Sequence, residues 1–536
     1  MAEEYKPGQE PFPEQDDRKL FFKFHYKGLL LVLIPIIFAP LLLGPKLLAY
    51  RMLYLAICVY LYYMCNVMSQ GAIAFLFIIF LPILGITGSK LLCIAHYTDL
   101  IFATFGCLFM GIMMDASRLS ERLALIVIGI CGSNLRVLQA GIMVVTSLSS
   151  IFVSSSFMSA FWMKVTQAII AELGNAGVLV PNSDEEPYER QSRPYPSNPV
   201  VGIYLSIAYG ATFGGMISLF QDPNADLYKF FQKFTDVKPG SFLMLFVGPF
   251  ILGLVVTAIW INVIFLGLFS GSVKEQVQAA ANGKDAVKRA MEDKKGALGP
   301  WNAYAILVFL MIIITMLLLF TRRPICWPGW YDYFHRSKCG LSVAIIAMCL
   351  LYFAVPANYF FCRYYWCRQP AKEGTAPSLV SWKIVNNNVP WAHVFMLCAG
   401  YGCLTGYKDS KLLQLVSNGI FNQKLDNSVS LIVGCLLGTL ITNLAPAQGV
   451  VANTLDSMLN PRNGAGVIAL PYAAALHNQF LLPVSTTSNT IVAGFGNVRP
   501  FQFLLGGVVP TLFMIIFICA SIAIFGNIAF KGYLQT

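Results

Sequence analysis

Long apolar runs recur along the whole chain, and each is about as long as a membrane-spanning helix. Such a helix needs ~20 mostly apolar residues to cross a hydrocarbon core ~30 Å thick. Of the 536 residues, 57% are apolar and 12% are charged, whereas soluble domains carry ~25% charge. This excludes a disordered chain and a soluble multidomain protein, and it predicts an all-α polytopic membrane protein.

The candidate spans fall into an unbroken and a broken class. The unbroken spans are residues 28–44, 52–69, 72–90, 98–114, 124–146, 200–220, 243–270, 302–320, 341–362, 391–406, 466–484 and 506–530. Residues 147–172 and 428–459 are apolar but interrupted by Ser, Asn, Pro and Gly. We expect re-entrant hairpins there, because non-helical backbone survives at membrane depth only where protein or a water-filled cavity satisfies it.

The net charge of +11 comes from short basic clusters between the apolar runs. Such clusters orient a membrane protein, since loops rich in Lys and Arg stay in the cytoplasm, and we do not attribute them to nucleic-acid binding. The leader, residues 1–27, is therefore expected in the cytoplasm. Its basic cluster consists of Arg18, Lys19, Lys23 and Lys27. The mixed-charge stretch 271–299 predicts a cytosolic surface helix.

Both halves of the chain show spans followed by two broken segments in the same order. The interruptions are residues 153–159 and 211–224 in the first half, and 441–447 and 482–489 in the second. Matching interruptions in two halves indicate the midplane site of a transporter built from internal repeats. We therefore expect the four breaks to converge on one binding site.

Unwound backbone at mid-membrane can bind ions of either sign. Helix N-termini offer free N–H groups and partial positive charge to a carboxylate, and free carbonyls coordinate a cation such as sodium. The polar side chains at the breaks include Asn224, Thr442, Asn443, Ser485, Thr486 and Asn489. For each hydroxyl the alternative is structural, because Ser and Thr also bond back to a helix carbonyl or join two helices.

One cation lies inside an apolar stretch: Lys164, ten residues after Ser154. An ammonium at membrane depth is costly unless it reaches the interface or an anionic partner. Its side chain either extends to the interface or acts as a fixed cation near the anion site. In the second case it would pair with Asp222 and replace a bound sodium ion.

The sequence contains no catalytic constellation. It has neither a Gly-x-x-x-x-Gly-Lys-Ser/Thr loop nor a His-Glu-x-x-His motif, and its 14 cysteines lack metal or disulfide spacing. The histidines, most of them beside span ends, are His25, His96, His335, His393 and His477. We expect no enzyme, no nucleotide-driven pump, and no cofactor or metal other than sodium as coupling ion.

Several motifs resemble those of one carrier family. Leu482-Pro-Val-Ser-Thr-Thr-Ser-Asn-Thr-Ile-Val492 is similar to the family segment Leu-Pro-Val-Ala-Thr-Pro-Pro-Asn-Ala-Ile-Val. Phe320-Thr-Arg-Arg-Pro with Pro328-Gly-Trp, and Val389-Pro-Trp with Ala399-Gly-Tyr-Gly, resemble two further segments. On these residues the chain resembles the divalent-anion/sodium symporter family, in the animal solute carrier family 13 branch of sodium–dicarboxylate and sodium–citrate cotransporters.

The resemblance implies about eleven transmembrane helices plus two re-entrant hairpins in an inverted repeat. It also implies a scaffold domain that dimerises and a transport domain that moves like an elevator. The implied division is a leader at 1–27, scaffold parts at 28–146 and 300–407, transport parts at 147–270 and 408–536, and the surface helix at 271–299.

The family carries Ser-Asn-Thr at both hairpin tips, and here Ser154-Ser155-Ser156 and Thr442-Asn443-Leu444 align with it. An Asn is thus replaced at the first tip and a Thr at the second, which removes donors and acceptors. Together, the breaks and the resemblance assign substrate binding to Ser154, Ser155, Ser156, Thr442, Asn443, Thr486 and Asn489. They assign cation binding to Ser155, Gly214, Gly215, Asn224, Asn443 and Ser485.

The expected function is secondary active transport of di- or tricarboxylates of the succinate and citrate class, by a homodimer in the plasma membrane. Sodium symport and sodium-independent exchange both stay open, because Gln221 and Asp222 replace small residues near the predicted cation site. Asp222 could also carry a coupled proton. The alternatives are a non-transporting sensor or binding protein on the same scaffold, and a carrier of another divalent oxyanion such as sulfate.

Overall fold

The fold is known from a computed structural model, and its regular elements are helices. The structure describes residues 17–44, 47–183, 185, 193–232, 237–268, 271–334, 339–357, 364–366, 368, 377–412, 415–416, 419, 426–446 and 465–529. Within these ranges the only β-structure is two isolated bridges, one of which joins Asn182 to Pro196.

The helices of the first half lead through one hairpin and one broken helix. They are α1 (Asp17–Phe38), α2 (Leu47–Met64), α3 (Gln70–Ile83), α4 (Ser89–Ala95), α5 (Asp99–Ala116), α6 (Leu119–Cys131), α7 (Leu135–Phe152), α8 (Ser155–Asn175), α9 (Asn198–Ile217), α10 (Asp222–Gln232) and α11 (Pro239–Ile264). The hairpin is α7–α8, and its break lies at Val153 and Ser154. The broken helix is α9–α10.

The second half repeats this order after two surface helices. Its helices are α12 (Gly271–Asn282), α13 (Lys284–Leu298), α14 (Ala303–Phe320), α15 (Trp330–Tyr333), α16 (Leu341–Ala354), α17 (Trp382–Asn388), α18 (Trp391–Asp409), α19 (Asn427–Leu444), α20 (Ala465–Ala475), α21 (Thr487–Gly496) and α22 (Pro500–Ala529). A short 3-10 turn at Pro483–Ser485 lies between α20 and α21. The predicted second hairpin is described only as far as Pro446, and residues 447–459 lie outside the described residues.

Many helices have the length and composition of membrane spans. Among the described residues, 7 stretches qualify fully: His25–Leu43, Asp99–Ala116, Leu135–Phe152, Asn198–Gln232, Pro239–Ile264, Ala303–Phe320 and Pro500–Gly526. Shorter apolar helices are Leu48–Met64, Gln70–Ile83, Leu341–Ala354 and Ser428–Leu444. Large apolar side chains such as Ile251, Val255 and Ile259 are exposed along one face of α11, as expected of a face that contacts lipid. The prediction of a polytopic all-α membrane protein is confirmed.

Three predicted unbroken spans are interrupted. Helix α3 ends at Ile83 within residues 72–90, and α20 ends at Ala475 within residues 466–484. Residues 124–146 are divided between α6 and α7, because Gly132 ends α6 with a left-handed φ of 72° and the Asn134 side chain caps α7 by accepting from the Arg136 N–H. Helix α7 then continues to Phe152 as one arm of the hairpin. The predicted boundary between residues 146 and 147 consequently falls inside a continuous helix.

The predicted surface helix at 271–299 is two helices, separated at Gly283. Helix α13 packs against α6 and α8. Arg122 of α6 donates to the carbonyls of Leu298, Gly299 and Pro300 at 2.8–3.0 Å. Lys294 lies 2.8 Å from Glu172 of α8. Burial lowers the pKa of Lys294, but the hydrogen bond to Glu172 and the neighbouring carboxylate charges outweigh it and raise that pKa.

Small residues let each broken helix pack tightly against a hairpin helix. In the first half, a Cβ on Gly210 of α9 would lie 2.7 Å from the Met143 carbonyl of α7. In the second half, a Cβ on Gly438 of α19 would lie 2.5 Å from the Tyr472 carbonyl of α20. Helix association in membranes depends on such close approach, since lipid provides no hydrophobic driving force between helices.

We expect Gly210→Ala to destabilise the protein, because the added methyl must push α9 away from α7. Overpacking of this kind costs ~1–3 kcal/mol. The measurement is the melting temperature of purified protein in detergent. Gly248→Ala on α11 is the matched control, since a Cβ there meets no atom within 4 Å and should stabilise the helix slightly. Equal melting temperatures for both variants would contradict the packing argument.

Candidate functional site

The four breaks surround one cavity of about 80 Å³. A single water needs only ~10–15 Å³ measured in this way, so several waters or a small anion fit. The cavity is lined by Leu100, Ser154, Ser155, Ser156, Thr212, Gly215, Gln221, Pro223, Leu227, Pro446, Leu476, His477, Gln479, Ser485, Thr486, Thr487 and Ser488. Every described break therefore contributes to the wall, and none of these lining residues is Asp, Glu, Lys or Arg.

Two helices begin at this cavity. Helix α8 starts at Ser155 and α21 starts at Thr487, and both starts belong to the lining. The first N–H groups of a helix have no acceptor within it and carry partial positive charge. Thr486 caps one of them by accepting from the Asn489 N–H at 2.9 Å. The hydroxyls of Ser156 and Thr487 are hydrogen-bonded to each other, which joins the two helix starts.

Gln221 fastens the first hairpin tip to the break between α9 and α10. Its Nε2 donates to the Ser150 carbonyl at 2.7 Å and to the Val153 carbonyl at 3.1 Å. Its Oε1 accepts from the Ser155 hydroxyl at 3.0 Å. Gln221 thereby satisfies two backbone carbonyls at the C-terminal end of α7. It also fixes the position of the Ser155 hydroxyl at the cavity wall.

Two asparagines satisfy carbonyls at the ends of broken helices. Nδ2 of Asn224 donates to the carbonyls of Gly215, Met216 and Ser218 at 2.6–3.2 Å. Nδ2 of Asn489 donates to the Gln479 and Leu482 carbonyls and to the Ser485 hydroxyl at 3.0–3.2 Å. In both residues Oδ1 is buried without a partner among the described residues. Each asparagine thus places a free oxygen beside a cluster of carbonyls.

The polar residues of the second hairpin tip lie behind the cavity wall. Thr442 donates to the Leu476 carbonyl at 3.0 Å. Asn443 donates to the Asn478 carbonyl at 2.7 Å and accepts from the Leu481 N–H at 2.9 Å. These bonds hold the segment 476–481 in place. Direct substrate contact by Thr442 and Asn443, and by Asn489, stays a prediction, because only neighbouring residues line the cavity.

The predicted pairing of Lys164 with Asp222 is wrong. Lys164 lies 2.7 Å from Asp115 of α5, and its Nζ lies 4.0 Å from the centre of the Phe495 ring. The reason is distance along α8: ten residues from Ser154 to Lys164 correspond to about 15 Å at ~1.5 Å per residue. Lys164 is not among the residues that line the cavity, so its predicted role as a substitute for sodium loses its geometric basis.

Asp222 lies beside the first hairpin tip, where it lines a small cavity together with Ser154. It forms ion pairs with Arg322 and Arg323, which follow α14, and Arg323 also lies 2.8 Å from Asp226. Arg322 has only 2% of its side chain exposed. The carboxylate of Asp222 therefore neutralises a buried arginine and is not directed at a substrate as a free proton carrier.

Six polar lining residues are absent from the sequence-based site: Thr212, Gln221, His477, Gln479, Thr487 and Ser488. Gln221 was recognised only as a departure from the family pattern, and its proximity to Pro223 was the available signal. His477 enters the sequence analysis only as one of five histidines, most of them beside span ends. Its position five residues before Leu482, where the predicted break begins, could have drawn attention to it.

Comparison with known proteins agrees with this architecture. The family model described as sodium:sulfate symporter transmembrane region matches residues 22–531. This chain belongs to that family. The resemblance to the divalent-anion/sodium symporters, drawn above from short motifs, is confirmed.

Family members with individual names cover nearly the whole chain. Protein I'm not dead yet of Drosophila melanogaster is 28% identical over 96% of this chain and 90% of its own length. Solute carrier family 13 member 2 of Oryctolagus cuniculus is 24% identical over 93% of this chain and 92% of its own length. The Na(+)/citrate cotransporter of Rattus norvegicus is 22% identical, with 92% and 94% covered.

We expect Lys164→Met to lower the melting temperature and to leave ligand affinity unchanged. The Asp115 side chain is 46% exposed, so the loss should lie between the ~1 kcal/mol of an exposed pair and the ~3–5 kcal/mol of a buried pair. Melting temperature and ligand affinity of the purified variant are the measurements. The exposed Lys383 of α17 supplies the control variant Lys383→Met. A change in anion affinity or in cation dependence in Lys164→Met would show that this lysine contributes to the binding site.

Proposed function

We propose that the protein is a secondary carrier that moves di- or tricarboxylates of the succinate and citrate class across a membrane. The observation that carries the proposal is the meeting of two helix N-termini at one cavity with a neutral, largely polar wall. Relatives named as Na(+)/dicarboxylate cotransporter 3 and Na(+)/citrate cotransporter support this substrate class. The family membership supports transport and gives no support to an enzyme.

The wall suits an anion that must be bound and then released. Each helix N-terminus contributes about half an elementary charge, and the hydroxyls at Ser154–Ser156 and Thr486–Ser488 add hydrogen-bond donors. A substrate with two carboxylates could bind one at each helix start. Since none of the described lining residues is a Lys or Arg, release from them does not require breaking a buried ion pair, which would cost several kcal/mol.

We propose sodium as the coupling ion. Sodium is a hard cation that binds oxygen, and the carbonyls beside Asn224 and Asn489 together with their unpartnered Oδ1 atoms offer such ligands. Gly215 and Ser485 contribute a carbonyl and a hydroxyl to these two clusters. Ser155 lies close to Gly215, and Gly214 precedes Gly215 in α9. Asn443 fits less well, because its Oδ1 already accepts from Leu481. Sodium-independent exchange is the competing mode.

We also propose the scaffold and transport division, with a homodimer in the plasma membrane and a cytoplasmic N-terminus. Because α7 is continuous, the first transport part would begin at Leu135 rather than at residue 147. Two sets of ion pairs then join the transport part to the scaffold parts. They are Lys164 with Asp115 and Asp222 with Arg322. An elevator movement would have to separate both.

We expect purified protein in liposomes to take up labelled citrate or succinate in a saturable manner when sodium is higher outside. Uptake that needs no sodium but rises with unlabelled carboxylate inside would establish exchange instead. Competition by sulfate but not by carboxylates would identify an oxyanion carrier. Specific binding without any uptake would contradict transport and favour the sensor alternative.

We expect Thr487→Val to weaken carboxylate binding, because it removes a hydroxyl from the cavity wall without changing side-chain volume. A hydrogen bond to a charged group contributes ~1.5–3 kcal/mol, so KM should rise about ten- to a hundredfold. The matched control is Thr315→Val on α14, a buried threonine whose hydroxyl bonds to the Met311 carbonyl at 2.8 Å. Equal KM values for both variants would argue against substrate contact at α21.

A further inference from the structure

His477 is a titratable side chain in the wall of the cavity. It lies between α20 and the 3-10 turn at Pro483–Ser485, and it is 8% exposed. Its Nε2 has no hydrogen-bond partner among the described residues. A buried polar atom without a partner costs ~1–3 kcal/mol.

The protein holds the imidazole ring in place without using Nε2. The ring packs edge-to-face on Phe246 of α11, with centroids 5.2 Å apart and planes at 81°. The backbone around it is fixed as well, since the His477 N–H donates to the Ala474 carbonyl and its own carbonyl accepts from the Gln479 N–H. The ring is therefore positioned before any ligand arrives, and this reduces the entropy that binding must overcome.

No carboxylate of the protein competes for this ring in the described part of the cavity wall. On α5, Asp99 is the acidic residue next to the lining residue Leu100. Its carboxylate caps the N-terminus of α16. From α10 the acidic residues are Asp222 and Asp226, and both are paired with arginines. The first hairpin tip, the α21 start and Phe246 of α11 contribute no charged group to the lining.

We propose that the imidazole ring of His477 binds a carboxylate of the substrate, and that protonation of this ring strengthens the binding. The proposal rests on the proposed function, since it names a contact within the same cavity. A protonated ring donates from both nitrogens and adds the only full positive charge to the described lining. An anion beside an imidazole favours the protonated ring, so binding should take up a proton, and affinity for the fully ionised anion should rise as the pH falls from about 8 to 5.

The test measures binding rather than transport. Thermal stabilisation of the purified protein by citrate and by succinate gives an apparent affinity, measured at several pH values with the concentration of the fully ionised anion and of sodium held constant. His477→Gln keeps a neutral donor, and His477→Phe keeps the packing on Phe246. His393→Gln is the matched control, because His393 also has a buried, unpartnered Nε2 but does not line the cavity.

We expect the wild type and His393→Gln to bind about tenfold more tightly at the acidic end of the range than at the alkaline end. His477→Gln should lose this dependence, and His477→Phe should bind weakly at every pH. Wild-type affinity and pH dependence in a folded His477 variant, or the same loss in His393→Gln, would overturn the proposal. The melting temperature without ligand shows which variants are folded.

The outcome for His477 is separate from the outcome for the proposed function. A wild type that binds carboxylate but shows no uptake in liposomes overturns the carrier and leaves the histidine contact supported or refuted by the binding data alone. A wild type that transports carboxylate, with unchanged binding in His477→Phe, overturns only the histidine contact. A wild type that neither binds nor transports any carboxylate overturns both.

Discussion

Backbone N–H and C=O groups at membrane depth have no bulk water to bind, and this constraint shapes the centre of the protein. Each helix break exposes several such groups, and side chains from neighbouring segments satisfy them. Asn224 bonds three carbonyls at the end of α9, Asn489 bonds two at the turn before α21, and Gln221 bonds two at the first hairpin tip. The breaks can lie close together because side chains at the breaks hydrogen-bond to the exposed backbone groups.

Among the described residues, Asp, Glu, Lys and Arg side chains lie outside the cavity that this convergence creates. Lys164 pairs with Asp115 midway along α8, and Asp222 pairs with Arg322 beside the hairpin tip. The cavity itself keeps hydroxyls, an amide-rich wall and helix starts, whose partial charges attract an anion without holding it in an ion pair. His477 is the exception, a group that can gain a charge at the place where an anion would bind.

Much of the fold could be predicted because membrane spans obey a length rule. Apolar runs located most helices, and the interruptions at Ser154 and Leu482 located two of the breaks. The division of residues 124–146 was missed, because Gly132 and Asn134 end and restart a helix without reducing the hydropathy of the surrounding run. Short polar motifs were also sufficient to identify the family, because a helix break at a fixed position requires particular residue types.

The sequence by itself determined that the chain crosses a membrane, that its halves repeat, and that polar breaks occur in both. These are properties of local composition, which a single segment carries. Only the tertiary structure decided that Lys164 meets Asp115 rather than Asp222, that Asn224 and Asn489 donate to backbone carbonyls, and that His477 lies in the cavity wall. Those contacts depend on helix length and on which helices pack together. The spacing of residues along the sequence shows neither of these.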